Sequence, residues 1–360
     1  MGFYTKYRTA ATALAAASVL ALSACGGGST PQAGSSTSGE VNIIAYASVW
    51  QDQYTAAVIK PFEAKFPNIK VNYVAKRSSA DMLSALQGQK SKPNTDVAIM
   101  DQSVSQSGNQ QGLFAKIDQS TVPNLANVPD KFKDKNGYGP VDMLDAIGLV
   151  YDTKTFPTPP SSWNALWDKS NCGKVNVVAP PSLLGLSLTA ITSNMQGEDY
   201  TKSIDKGVAK LKQLAPCIQT FSPQPDEYQN VITGQTVLGL GQNARGQFYA
   251  DQTGKKIGVA FPKEGTAYQI NTINLIKNAP HSAAANTFIN YALSAEAQEA
   301  FAKDLFYAPS VSNAVLPADV KSRVVPTDGS LKILPLDVDF MASIRDKWTQ
   351  TWKQEIIPAK

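Results

Sequence analysis

Residues 234–276, GQTVLGLGQNARGQFYADQTGKKIGVAFPKEGTAYQINTINLI, restrict the fold more tightly than any other part of the chain. Short apolar runs bounded by Gly, Pro and Asn predict a strand over 236–240, a helix over 243–250, a strand over 257–261, a loop, and a strand over 270–276. Such a stretch can leave one domain and return to another, which places its loops at the cleft between them.

The chain before it has the same alternation. Strands are expected over 41–45, 70–74 and 96–100, separated by helical patterns, with Ser78 as the N-cap of a helix that follows. This predicts an α/β fold with a parallel sheet. In such sheets ligands sit beyond the carboxyl ends of the strands, which selects the loops 46–50, 76–79 and 101–105. Trp163 and Trp167, four residues apart, are expected as a core staple, and Asp226 and Glu227 as a helix-capping pair.

Residues 1–25 have the make-up of an export signal: Lys6 and Arg8, an apolar run over 9–21, and then Leu22-Ser23-Ala24-Cys25. Cys directly after small residues, followed by GGGSTPQAGSSTSG, predicts a lipidated Cys25 on a flexible tether over 26–40, hence an exported protein held at a membrane. No later run of apolar residues is long enough to span a bilayer. Without the signal, 31 basic residues face 29 acidic ones, scattered along the chain, which argues against nucleic acid as a partner. Export also puts Cys172 and Cys217 in an oxidising compartment. A disulfide is expected there, since each precedes a predicted strand, with a free-thiol reading left open. Either way the two cysteines are read as structural.

Enzyme chemistry finds little support. The single histidine, His281, stands at a helix start, where a capping or solvent role is expected. The chain has no zinc-ligand spacing, no Walker loop and no dinucleotide fingerprint. No cofactor is expected, and no pair among the 29 acidic residues stands out as catalytic.

Four further segments in fixed order carry a resemblance: TDVAIMDQS (95–103), GLVYDTKTF (148–156), PPSSWNALWD (159–168) and the tail 335–357. With 234–245 and the PKEG at 262–265, they resemble the extracellular solute-binding proteins of bacterial ABC importers, in the spermidine/putrescine-like branch. The resemblance implies a two-lobe, type II periplasmic-binding-protein fold with a parallel-dominated mixed sheet in each lobe and a hinge between them. It implies a first lobe from 41–148, a second from 149–270, and a return to the first over 271–360 with the C-terminal helices. It further implies a monomer that captures a small solute and delivers it to an ABC permease.

The implied ligand contacts are Tyr46, Ser48, Trp50, Ser79, Asp101, Gln102, Gln242, Asn243, Arg245, Tyr268, Gln269, Asn271 and Tyr307. The match to a polyamine site is partial. Gln242 replaces an aromatic residue, Asn271 stands where a carboxylate is expected, and Arg245 adds a positive charge. An amino-acid-like zwitterion, an amide-bearing solute or an organic anion suits these residues better than a polyamine. A ferric-ion receptor would need adjacent tyrosines, but Tyr307 is followed by Ala308 and Pro309. The competing expectations are an exported enzyme on the same scaffold, which would turn its ligand over, and an adhesion lipoprotein without a cleft.

Overall fold

The computed structural model describes residues 36–360. Cys25 and the tether up to residue 35 lie outside the described residues. The first part of the chain runs β1 (Ser38–Tyr46), α1 (Val49–Tyr54), a π turn, α2 (Lys60–Lys65), β2 (Asn68–Lys76), α3 (Ser79–Gly88), β3 (Val97–Asp101), α4 (Gln102–Gln110) and β4 (Phe114–Ala115). The middle follows as β5 (Val141–Asp152), β6 (Val175–Asn176), α5 (Leu183–Met195), α6 (Asp205–Leu214), β7 (Ile218–Thr220), α7 (Glu227–Ile232), β8 (Leu238–Gln242), α8 (Asn243–Gln252) and β9 (Ile257–Ala260). The last part is β10 (Tyr268–Ile276), α9 (Ser282–Ala292), α10 (Ala295–Leu305), β11 (Ala308–Pro309), α11 (Ala318–Lys321) and α12 (Val338–Thr351).

The strands line up in the order β2-β1-β3-β10-β5-β8-β6-β7. Pairing is parallel among β2, β1 and β3 and among β7, β6 and β8, and antiparallel wherever β10 or β5 takes part. β5 organises the two lobes. Every residue of VDMLDAIGLVY is buried, the pattern of a strand covered on both faces. Its first half, to Ala146, pairs with β10 and β11, and its second half, from Ile147, pairs with β8 and β9. One strand therefore belongs to both sheets, and its partners change between Ala146 and Ile147.

Two more segments cross at the same level. Ala267 accepts from Ile147 N (3.1 Å), and Thr266 forms an isolated bridge with Ile333. Three crossings side by side leave a narrow waist, the geometry of a hinge. Each lobe has its own core: Trp50, Tyr54, Phe62, Phe288 and Phe301 in the first, Trp163, Leu188, Leu211 and Trp352 in the second.

Local capping follows the sequence. Ser78 Oγ accepts from Asp81 N (3.1 Å), and Asp226 caps α7 by accepting from Gln229 N (2.8 Å). Trp163 is fully buried, and its indole donates to Gly265 O (2.8 Å), tying the entrance of the second lobe to the PKEG turn. A disulfide joins Cys172 to Cys217 across a sequence separation of 45.

Two expectations need correction. His281 neither caps α9 nor faces only solvent: its Nδ1 lies 3.0 Å from Oδ2 of the fully buried Asp96, whose Oδ1 accepts from His281 N (2.7 Å). A buried carboxylate needs donors, and the strand start supplies another in Asn42 N (2.7 Å). The final helix also departs from the return to the first lobe. α9 and α10 pack there, but Trp352 and Ile356 join the second core, because the indole of Trp352 donates to Thr189 of α5 (2.8 Å).

Candidate functional site

The carboxyl ends of β1 and β3 and the start of α3 meet at one polar network. Tyr46 Oη contacts Ser79 Oγ (2.7 Å) and donates to Asn271 Oδ1 (3.0 Å). Ser79 Oγ donates to Asp101 Oδ2 (3.0 Å), and Gln269 Nε2 donates to Asp101 Oδ1 (3.2 Å). Four sequence-distant elements thus converge at the level where the chain crosses between lobes.

A second charged group comprises Arg245, at the start of α8, Glu227, at the start of α7, and Asp145, in the middle of β5. Asp145 is fully buried and accepts from Ala244 N (2.9 Å) and Ala146 N (2.8 Å). Burial pushes its carboxyl up to about 8, against the lowering pull of those amides and the Arg245 charge. Burial likewise pushes Glu227 up to about 7, opposed by Arg245. Asp142, on the same strand, is pushed up to about 8 by burial, and its Oδ2 has no partner.

Four expected site residues leave a buried polar atom without a hydrogen bond: Nε1 of Trp50, which lies in the first core, and Nε of Arg245, Oε1 of Gln269 and Nδ2 of Asn271. Buried polar groups are nearly always satisfied, and leaving one unpaired costs about 1–3 kcal/mol. The last three, two donors and one acceptor, suit a polar guest. Beside Asp101, to which Gln269 donates, lies a cavity of ≈ 260 Å³. Asp101, Gln102 and Ser103 form one wall, Leu183 the other, Tyr268 and Ile270 contribute from β10, and the segment from Ile333 to Met341 crosses it.

Other expected contacts have structural duties. Trp50 is fully buried, stacked on Tyr54 at 4.5 Å and edge-on to Phe301 at 5.5 Å, so its ring belongs to the first core. Ser48 is exposed with φ 69° and lies outside the network. Asn243 donates to Arg323 O (2.8 Å) and accepts from Gln247 (3.1 Å), a helix-start role that uses its amide. Gln242 accepts from Tyr228 Oη (2.8 Å), which also receives the Gln242 N–H (2.7 Å). Tyr268 offers its ring to the cavity while its hydroxyl donates to Pro326 O (2.8 Å). Tyr307 is buried and stacks on Phe301 at 5.4 Å, near Asp145 and Arg245.

Sequence reasoning missed Asp145, Tyr228 and Arg345, placed Ser103 only within the loop 101–105, and gave Glu227 only a capping role. For Asp145 a signal existed, since two acids inside the run VDMLDAIGLVY contradict an apolar strand unless they serve a site. Arg345 had none: it lies on the far C-terminal helix and reaches the cleft only through tertiary packing.

The buried carboxyls predict a pH dependence. Asp142, Asp145 and Glu227 all bind protons more tightly folded than unfolded, so stability is fully present below the ordinary carboxyl range and is lost as pH rises through about 7 to 8. The melting temperature should therefore fall between pH 5 and pH 9, and D142N should flatten the slope. A melting temperature that climbs across this window would count against the assignment.

The fold is shared with solved structures of solute-binding proteins. An ABC transporter structure from Clostridium perfringens ATCC 13124 superposes with TM-score 0.70 at 24% identity, covering 88% of this chain and 99% of that one. Residues 57–325 match the family described as bacterial extracellular solute-binding protein, and the chain belongs to that family. Among its relatives is the gamma-aminobutyric acid-binding protein of Pseudomonas aeruginosa, 24% identical over 62% of this chain and 65% of that protein, just under two thirds of its length. Another is spermidine/putrescine-binding periplasmic protein 1 of Haemophilus influenzae, 23% identical over 80% of this chain and 81% of that protein.

Proposed function

We propose that the protein is the substrate-binding component of an ABC importer and that its solute carries both an amine and an acid group. Arg245, a cation with a buried unpartnered N–H, supports a carboxylate on the solute. Asp101 offers an anion for an ammonium group, and Gln269 and Asn271, in the same network as Asp101, offer one acceptor and one donor. A polyamine has no group for Arg245, whereas an ω-amino acid has one for Arg245 and one for Asp101. This is the observation that carries the reading.

The first lobe we propose spans 41–148 with the chain from 271 through α11, and the second spans 149–270 with α12 laid against it. Contacts from both lobes form together only when the lobes close, so binding shifts the population toward the closed form that a permease would receive. We further propose export with a lipid on Cys25 and capture as a monomer, without turnover of the solute.

A thermal-shift screen of residues 26–360 against ω-amino acids, α-amino acids, polyamines and organic acids tests this. A specific solute at one hundred times its dissociation constant should stabilise by about 2.7 kcal/mol. A shift with γ-aminobutyrate or a close analogue supports the reading. Shifts with putrescine and spermidine alone would overturn the amine-plus-acid class.

A further inference from the structure

The C-terminal helix α12 is anchored to the second lobe at both ends. Before its first turn, Tyr200 Oη donates to Pro335 O (2.9 Å) and accepts from Asp337 N (2.8 Å), and beyond its last turn Trp352 is held by Thr189. Between these anchors the helix reaches the other lobe. Asp339 accepts from Gln106 Nε2 on α4 (2.6 Å). Arg345 then makes a two-sided contact: Nη1 donates to Pro181 O (3.0 Å), just before α5, and Nη2 donates to Ser103 Oγ (3.1 Å), in the first turn of α4.

We propose that Arg345 is a positioning residue for solute capture, a latch that holds Ser103 and the Asp101 wall against the second lobe. Held on a helix of the second lobe, the guanidinium keeps Pro181 within that lobe and reaches across to Ser103, so opening the cleft breaks the Ser103 bond together with the Asp339–Gln106 contact. Its charge also feels Asp101, the anion of the facing wall. The planar fork of Arg serves two acceptors at once, which a single ammonium does less well. Arg345 is part-exposed and outside both cores, so replacing it should leave each lobe folded. Opening then requires breaking a contact remote from the solute, and the latch should act on solute release more than on encounter.

The inference rests on the solute-capture reading, and its test separates the two. Cysteine pairs at Ser84, exposed on α3, and Lys169, exposed in the second lobe, carry spin labels for distance measurement. The labels are read in the wild-type background, R345Q and R345K, each alone and with γ-aminobutyrate. R345Q should shift the population toward longer separations, with R345K intermediate. The dissociation rate of γ-aminobutyrate should rise about tenfold in R345Q, with the association rate changed far less. Identical distance distributions in the wild type and R345Q under both conditions would overturn the latch. If the wild-type protein fails to bind γ-aminobutyrate, the solute assignment falls, while the ligand-free distances still decide the latch.

Discussion

Replacing Arg245 by alanine should weaken binding of an acid-bearing solute by roughly 30-fold to several thousand-fold, measured by titration calorimetry with γ-aminobutyrate. Truncating one member of a buried, hydrogen-bonded charge pair costs about 2–5 kcal/mol, and about 1.4 kcal/mol is a factor of ten. Ligand-free stability should move the other way or stay level. The guanidinium leaves a buried Nε unpaired, and its removal relieves that cost even as the neighbouring Glu227 and Asp145 lose a favourable charge. R245K should retain part of the affinity, since an ammonium keeps the charge but loses the fork. Unchanged affinity in R245A would remove Arg245 from the site and leave the amine-plus-acid reading without its acid partner.

The second large effect concerns the second lobe. The disulfide between Cys172 and Cys217 closes a sequence separation of 45. In the chain-entropy account, a loop of this length constrains the unfolded state by about 4 kcal/mol. Replacing both cysteines by serine should lower the unfolding free energy by about that amount, read from urea denaturation with and without reductant. The lobe offers few other long-range ties at this edge, because β6 and β7 are two and three residues long. A loss below about 1 kcal/mol would mean that the unfolded chain already holds these ends together.

Much of the fold was legible because its signals are local. Short apolar runs bounded by Gly, Pro and polar residues predicted β1, β2, β3, β8, β9 and β10 close to their observed bounds: β3 and β8 are buried on both faces and so must be apolar, while edge strand β2 keeps only Ile69 and Val71 buried. The one-residue detail of Ser78 as a cap was readable for the same reason: a cap bonds its own first turn. Gly241, in β8, was not readable as a packing residue. A Cβ there would press on Tyr228 and Val150, which are distant in sequence.

The site divides along the same line. Tyr46, Ser79 and Asp101, expected near one another because topology sends strand ends to one place, do meet in one hydrogen-bonded network. Arg245, Gln269 and Asn271 were singled out as departures from a polyamine pattern, and the structure joins Gln269 and Asn271 to that network. Trp50 and Asn243 misled, because a loop position says where a backbone goes and not whether its side chain turns into the core or spends its amide on a neighbour.

The sequence by itself determined the α/β class, the elements and the residue types at the cleft, all set by local propensity and apolar periodicity. Tertiary structure alone decided three things. It set β5 across both sheets with its acids buried, turned α12 back over the second lobe, and brought Arg345 to Ser103 and Pro181. Each depends on contacts between residues tens to hundreds of positions apart, where burial energy and the pairing of buried charge, not local pattern, select the arrangement.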